Sequence, residues 1–234
     1  QGDEARGASQ VDHGGIVKVL VTGGSGFIGR HTLAPLLARG CDVHLFGRSR
    51  PESLPAGVSF HEVDLLTGAN LNERLADLSA PFLLHLAWDV THGQFWHAPN
   101  NLDWVGASLR LARAFRESGG QRMVAAGTCA EYDWSAAMPC VEAATPCRPH
   151  TLYGAAKNAT QDVLSRYAQT SQCSFAWGRI FLTFGPDEAP TRLIAAVIQQ
   201  LLRGERVALS PGHQVRDFLC AEDMGRAFVD LLLS

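Results

Sequence analysis

The chain has 234 residues, 46% of them hydrophobic and 18% charged, with a formal net charge of -3. That length fills one domain, or one domain with a small added lobe. The charge balance and the lack of any Lys/Arg-rich run give no electrostatic reason to expect nucleic acid or a membrane as partner, and no apolar run reaches the length of a membrane span.

Residues 1–15, "QGDEARGASQVDHGG", lack the apolar core of a signal peptide and read as a flexible leader. A β-branched run follows, "IVKVLVT" (16–22), then "FIGRHTLAPLLARG" (27–40) with helical spacing and a closing glycine. Strands are expected at 42–47 and 58–64, and a helix at 70–79. "PFLLHLAW" (81–88) is apolar almost throughout, as suits a parallel strand covered on both faces. A long amphipathic helix spans about 102–118 and leads into the strand "RMVAAGT" (122–128). After a Pro/Cys-rich loop (135–150) come a helix at 152–170 and a strand at 173–180. The alternation predicts an α/β fold: a Rossmann-like, doubly wound parallel sheet over 16–190. From Thr191 the pattern changes to a helix, a short strand pair around "RVALS" and "VRDFL", and a last helix from Glu222. Residues 191–234 are therefore expected to form a small, partial substrate-side lobe. The six cysteines, at 41, 129, 140, 147, 173 and 220, include no CxxC pair. They read as small thiols of a reducing compartment, so the cytoplasm is the expected location.

Four glycines, at 23, 24, 26 and 29, lie between the first strand and the first helix. At that junction Gly23, Gly26 and Gly29 have distinct uses: a tight turn, close approach to a pyrophosphate, and close helix–strand packing. The phosphates would sit at the helix N-terminus, where N–H groups and the helix dipole favour anions. Sites for NAD usually end the second strand with an Asp or Glu. Here Gly47 is followed by Arg48, Ser49 and Arg50. A guanidinium can grip a 2′-phosphate that a carboxylate would repel, so NADP(H) is favoured and NAD remains open. Asp64, closing the third strand, is expected to accept from the adenine amino group.

"YGAAK" sets Tyr153 and Lys157 four apart, on one helix face. A phenol is a poor acid or base near neutrality unless a neighbouring ammonium stabilises its anion, and the lysine supplies that charge. Thr128 ends the fifth strand and can donate to a substrate carbonyl. His92 and His97 have no acidic partner at metal-ligand spacing, so no metal site is expected.

These segments together resemble the extended short-chain dehydrogenase/reductases, the NAD-dependent epimerase/dehydratase family, of the kind that modifies nucleotide sugars. "TGGSGFIG" resembles the family's cofactor loop and extends the expected contacts to Phe27 and Ile28. "DLLTG" resembles its adenine contact and adds Leu65. "HLAW" (85–88) resembles the fourth-strand segment that lines the cofactor, adding Leu86 and Ala87. "GTCAEY" and "PHTLYGAAK" resemble the segments carrying the catalytic Thr128, Tyr153 and Lys157. "GRIFLTFGP" and "VRDFLCAEDMGRAF" are similar to segments that hold a nucleoside-diphosphate sugar, and there Arg179 and Arg216 are the candidates for gripping a diphosphate. Arg179 could equally be a structural ion-pair partner. Glu131 reads as either structural or substrate-contacting. Trp88 opens an insert, "WDVTHGQFWHAPNN" (88–101), that reads as either a sugar-binding wall or packing over the cleft. The resemblance also implies a homodimer through the 102–118 and 152–170 helices.

Sugar 4,6-dehydratases of the family carry an Asp–Glu pair directly after the Ser/Thr, where this chain has Cys129 and Ala130. The leading expectation is thus an NADP(H)-dependent 4-ketoreductase of a 4-keto-6-deoxy nucleotide sugar. A nucleotide-sugar 4-epimerase with tightly bound NAD and a non-catalytic NADP-binding regulator are the alternatives.

Overall fold

Residues 16–135 and 139–234 are described by the computed structural model, so the expected leader lies outside the described residues. The first half of the chain runs β1 (Lys18–Thr22), α1 (Arg30–Ala38), β2 (Asp42–Gly47), β3 (Val58–Glu62), α2 (Leu71–Leu78) and β4 (Phe82–His85). The second half runs α3 (Asn101–Glu117), β5 (Arg122–Thr128), α4 (Leu152–Ser171), β6 (Ser174–Ile180), β7 (Leu182–Phe184), α5 (Leu193–Leu202), β8 (Phe218–Cys220) and α6 (Ala221–Leu233). Six strands pair in the order β3-β2-β1-β4-β5-β6, every pair parallel. The sheet is the expected Rossmann-like one. The chain winds outward from β1 in one direction and from β4 in the other, so a crevice opens beyond their carboxyl ends, where ligands of such sheets bind.

Each face of the sheet is sealed by its own helices. On one side α2, α3 and α4 bring Leu71, Leu75, Leu111, Phe115 and Leu164 against Leu20, Phe46, Leu83 and Met123. On the other side α1 and α6 bring Leu33, Leu36, Phe228, Val229 and Leu232 against Val19, Val21, Val43 and Val124. Each large aliphatic or aromatic side chain removed from water contributes about 1.5–3 kcal/mol.

Three expectations are corrected. The helix foreseen from residue 27 begins at Arg30, because the glycine loop keeps turning until Gly29. "RVALS" forms no strand: Arg206–Ser210 is exposed except for half-buried Val207 and pairs with no strand among the described residues, and β8 pairs with β7 instead. The last helix does not belong to a separate lobe. It packs beside α1 so closely that a Cβ on Gly225 would lie 2.4 Å from the His31 carbonyl oxygen, and Phe228, Val229 and Leu232 complete the core. What remains outside the core is α5, which buries none of its residues, and the β7–β8 ribbon.

Candidate active site

The glycine loop closes on itself at the end of β1. Gly23 has φ +76°, and a Cβ there would lie 2.5 Å from the Ala87 amide nitrogen. A Cβ on Gly29 would lie 2.1 Å from the Gly23 carbonyl oxygen. Neither position admits a side chain, whereas Gly26 is exposed and a Cβ there would meet the Gly23 oxygen at 3.2 Å. The loop thus presents bare backbone to the crevice at the start of α1. No side chain caps that helix and its first turn has no acidic residue, which leaves its positive end for an anion. Arg30, not anticipated from the sequence, turns back to donate to Ser25 O at 3.1 Å and pairs with Asp187 at 3.1 Å. This places a cation beside the loop. A dinucleotide pyrophosphate fits such a cradle.

The other expected cofactor contacts lie at the same carboxyl edge of the sheet. Leu86 and Ala87 pack their backbone against Gly23. Ile28 packs on the core, and half-buried Phe27 lies edge-on to His31 at 6.2 Å. Asp64 stands past the end of β3 with one carboxylate oxygen accepting from Leu66 N at 3.0 Å. The Leu65 side chain is buried in the core and its carbonyl accepts from Arg110 at 3.2 Å, so only its backbone is near the edge. Arg48 is exposed just beyond β2, and its charge is one of the influences holding Asp89 below the usual carboxylate range, after the hydrogen bonds from Thr91. Beneath the cradle a buried chain ties three elements together. His85 joins Thr22 Oγ1 at 2.7 Å through Nδ1 and Ser108 Oγ at 2.9 Å through Nε2. Burial, and then the charge of Lys157, push His85 down to about 3, so it stays neutral.

β5 and α4 bring Thr128, Tyr153 and Lys157 together. Thr151 caps α4 by accepting from Gly154 N at 3.1 Å, which fixes the first turn that carries Tyr153. Burial drives the Tyr153 phenol up to about 12, against the lowering influence of the Thr128 hydroxyl. Lys157 Nζ donates to Ala126 O at 2.9 Å and lies 4.1 Å from the centre of the Trp88 ring. Its burial lowers it to about 7, against the opposing pull of the Glu131 charge.

Two substrate expectations are corrected by burial. Glu131 is fully buried: one oxygen accepts from Thr128 N at 2.8 Å, the other from Arg179 Nε at 2.6 Å, and Trp177 Nε1 donates to both at 3.1 Å. With every lone-pair direction engaged, Glu131 is scaffold beneath Thr128. Arg179, its partner, is the ion-pair residue rather than a diphosphate clamp, and its guanidinium also stacks 5.0 Å from the Tyr132 ring. Arg216 lies on an exposed loop before β8, donating to its own neighbours Val215 O and Gln214 Oε1. Trp88 lies in the site: it meets Tyr153 edge-on at 6.4 Å and donates to Asn101 Oδ1 at 2.9 Å. Asn101 and Trp104 were not singled out from the sequence, although Asn101 closes the aromatic insert. Among the described residues no group of His, Cys, Asp and Glu could hold a metal ion, and no helix is long and apolar enough to cross a membrane.

The chain is similar in sequence and fold to known proteins. The chain is 27% identical over 228 residues to dTDP-6-deoxy-L-talose 4-dehydrogenase (NAD(+)) of Aggregatibacter actinomycetemcomitans, covering 93% of this chain and 81% of that protein. It is 28% identical over 231 residues to a UDP-glucose 4-epimerase of Streptomyces lividans, covering 90% and 70%. Among solved structures, a Thermus thermophilus UDP-glucose 4-epimerase in complex with NAD superposes with a TM-score of 0.75 at 27% identity, covering 93% and 75%. The model of the NAD dependent epimerase/dehydratase family matches residues 19–234, from β1 through α6. With that match and the glycine cradle, the chain belongs to the NAD dependent epimerase/dehydratase family, a family of nicotinamide-dependent enzymes.

Proposed function

We propose that the chain is an NADPH-dependent 4-ketoreductase acting on a 4-keto-6-deoxy sugar linked to a nucleoside diphosphate. The observation that carries this reading is a complete Thr128–Tyr153–Lys157 group with no acid–base pair for elimination beside it. Ala130 cannot move a proton, and burial raises the Cys129 thiol to about 11, so it stays protonated near neutrality. The similarity to a 6-deoxy-sugar 4-dehydrogenase, whose named reaction is the reverse of a ketoreduction at the same carbon, supports the choice of sugar.

A reduced nicotinamide held by Gly23, Gly26, Gly29, Leu86 and Ala87 would supply hydride. The chain's own part is the proton. Tyr153, held protonated by its burial, is suited to giving its proton to the oxygen at the reduced carbon. Lys157 in its charged form stabilises the phenolate left behind. Thr128 holds the same oxygen through its hydroxyl. Arg48, with Gly47 in place of a carboxylate, supports the 2′-phosphate form of the cofactor. Within this reading Arg216 binds the sugar's diphosphate, a homodimer forms through α3 and α4, and the enzyme works in the cytoplasm.

The second reading, a nucleotide-sugar 4-epimerase with retained NAD, is favoured by the similarity to the Streptomyces and Thermus epimerases. Oxidation of NADPH and of NADH is followed with dTDP- and UDP-linked 4-keto-6-deoxyhexoses. Stoichiometric NADPH oxidation supports the reductase, and Arg48→Glu should then lower the preference for NADPH at least ~10-fold, the loss of a charge-assisted bidentate contact. Purification with bound NAD and sugar interconversion without net cofactor oxidation would overturn it.

A further inference from the structure

The segment between β4 and α3 is tied down at both ends. At the start, Asp89 accepts from Thr91 N at 3.0 Å, from Thr91 Oγ1 at 2.7 Å and from Asn100 Nδ2 at 2.8 Å. At the far end Asn101, with none of its surface exposed, uses its whole amide on the segment. Its Oδ1 accepts from Trp88 Nε1 at 2.9 Å, and its Nδ2 donates to Phe95 O at 2.7 Å and Ala98 O at 2.8 Å. A buried side-chain amide is retained only where its donors and acceptor are met, and here all of them close one loop.

The loop so fastened lies over the proton-transfer pair. Phe95 and Trp96 stand edge-on to the Tyr153 ring at 4.8 and 5.9 Å, and the Tyr153 amide donates to Trp96 O at 3.1 Å. The Trp88 indole has two close neighbours: Trp104 of α3 stacks on it at 6.0 Å, and Lys157 Nζ lies 4.1 Å from its ring centre. An indole face attracts an ammonium, more strongly where water is excluded.

We propose that Trp88 and Asn101 are positioning residues for the proton-transfer pair: Asn101 fastens residues 88–100 as a strap, and Trp88 rests its indole face on Lys157 Nζ. The strap keeps water from the pair, and the indole offsets part of what that dryness costs the ammonium. The titratable groups facing Lys157 are Glu131 from the turn after β5, His85 from β4 and Tyr153 one turn earlier on α4. Glu131 favours the ammonium, whereas His85 and Tyr153 are neutral near pH 7. The proposal rests on the reading of Tyr153 and Lys157 as the proton-transfer pair.

The chain contains only two lysines, Lys18 and Lys157. Protein labelled with 13C at the lysine Cε therefore gives two signals, and Lys18→Arg assigns them. In the parent, the Lys157 signal should titrate near 7. Trp88→Leu and Trp88→Phe both lose the N–H whose hydrogen bond Asn101 accepts, and only Trp88→Leu also loses the π face, so its midpoint should lie about one unit below that of Trp88→Phe, a tenfold loss of proton affinity. Asn101→Ala frees the strap and admits water, so the midpoint should move up toward the ordinary lysine value. The Tyr153 amide should then exchange with solvent at least ~10-fold faster. A Trp88→Leu midpoint equal to or above that of Trp88→Phe overturns the proposal. So does an Asn101→Ala protein whose midpoint and exchange match the parent. The Trp88 pair decides the matter even where Asn101→Ala fails to fold. No sugar enters the titration, so its outcome is separate from that of the NADPH oxidation assay.

Discussion

Glu131→Gln isolates what the buried charge beneath Thr128 contributes. The carboxylate serves three donors, Thr128 N, Trp177 Nε1 and Arg179 Nε, and has no exposed surface. Glutamine has the same shape but one acceptor oxygen. Whichever way the amide turns, its NH2 faces an N–H donor, and Arg179 loses its counter-charge with 18% of its side chain exposed. Breaking a buried pair from one side costs about 3–5 kcal/mol, and the residual access of Arg179 to water places this case at the lower end, about 3 kcal/mol. For a chain of this length each kcal/mol moves the melting temperature by roughly 2–4 °C, so the substitution should lower it by about 6–12 °C. Thermal unfolding followed by circular dichroism reads the shift. The double variant Glu131→Gln/Arg179→Met, which removes the orphaned cation, should recover most of it. A fall of less than about 2 °C in the single variant, or no recovery in the double, would refute the assignment of Glu131 and Arg179 to the scaffold.

Tyr153→Phe should abolish turnover of the 4-keto sugar while leaving the dissociation constant for NADPH within about threefold, read by fluorescence titration; normal turnover would remove Tyr153 from the proton-transfer role. Gly29→Ala drives a methyl group into the Gly23 carbonyl; it should weaken NADPH binding by at least ~10-fold or prevent folding, and parent-like affinity would count against the cradle. His85 is neutral in the fold with its midpoint moved from 6.5 down to about 3. The unfolded chain therefore binds the extra proton first, and stability from this residue is lost as pH falls from about 6.5 toward 3, by roughly 4–5 kcal/mol in total. Urea midpoints measured across that range should fall with pH in the parent, and less steeply in His85→Gln.

Much of the architecture was legible because each strand of the six-stranded sheet announces itself locally. β5 occupies the residues its apolar run indicated, Arg122–Thr128, and the glycine cradle sits where strand meets helix. The nearness of Tyr153 and Lys157 was legible because residues four apart share one helix face, a property of spacing alone. What escaped depends on contacts between distant segments. Arg179 offered no local sign of whether it would meet a phosphate or a carboxylate, and the partner that decided it lies 48 residues away. The role of Asn101 could not be read because an asparagine at a helix start usually caps, and here its amide turns outward from the helix to hold a loop. "RVALS" has the alternation of a strand, but a strand also requires a neighbour's backbone.

The seat of α6 beside α1 has a consequence for the order of assembly. Arg39 at the end of α1 and Asp230 in α6 pair across 191 residues of chain. Contacts of such sequence separation form late and slow folding. During synthesis, at roughly 5–20 residues per second, β1 and α1 wait about 10–40 s before α6 can reach them. Through that interval Val19, Val21, Leu33 and Leu36 lack their final cover, an apolar strip of the kind chaperones bind. The helix that the glycine loop opens therefore gains its last support only once the chain has been made as far as α6.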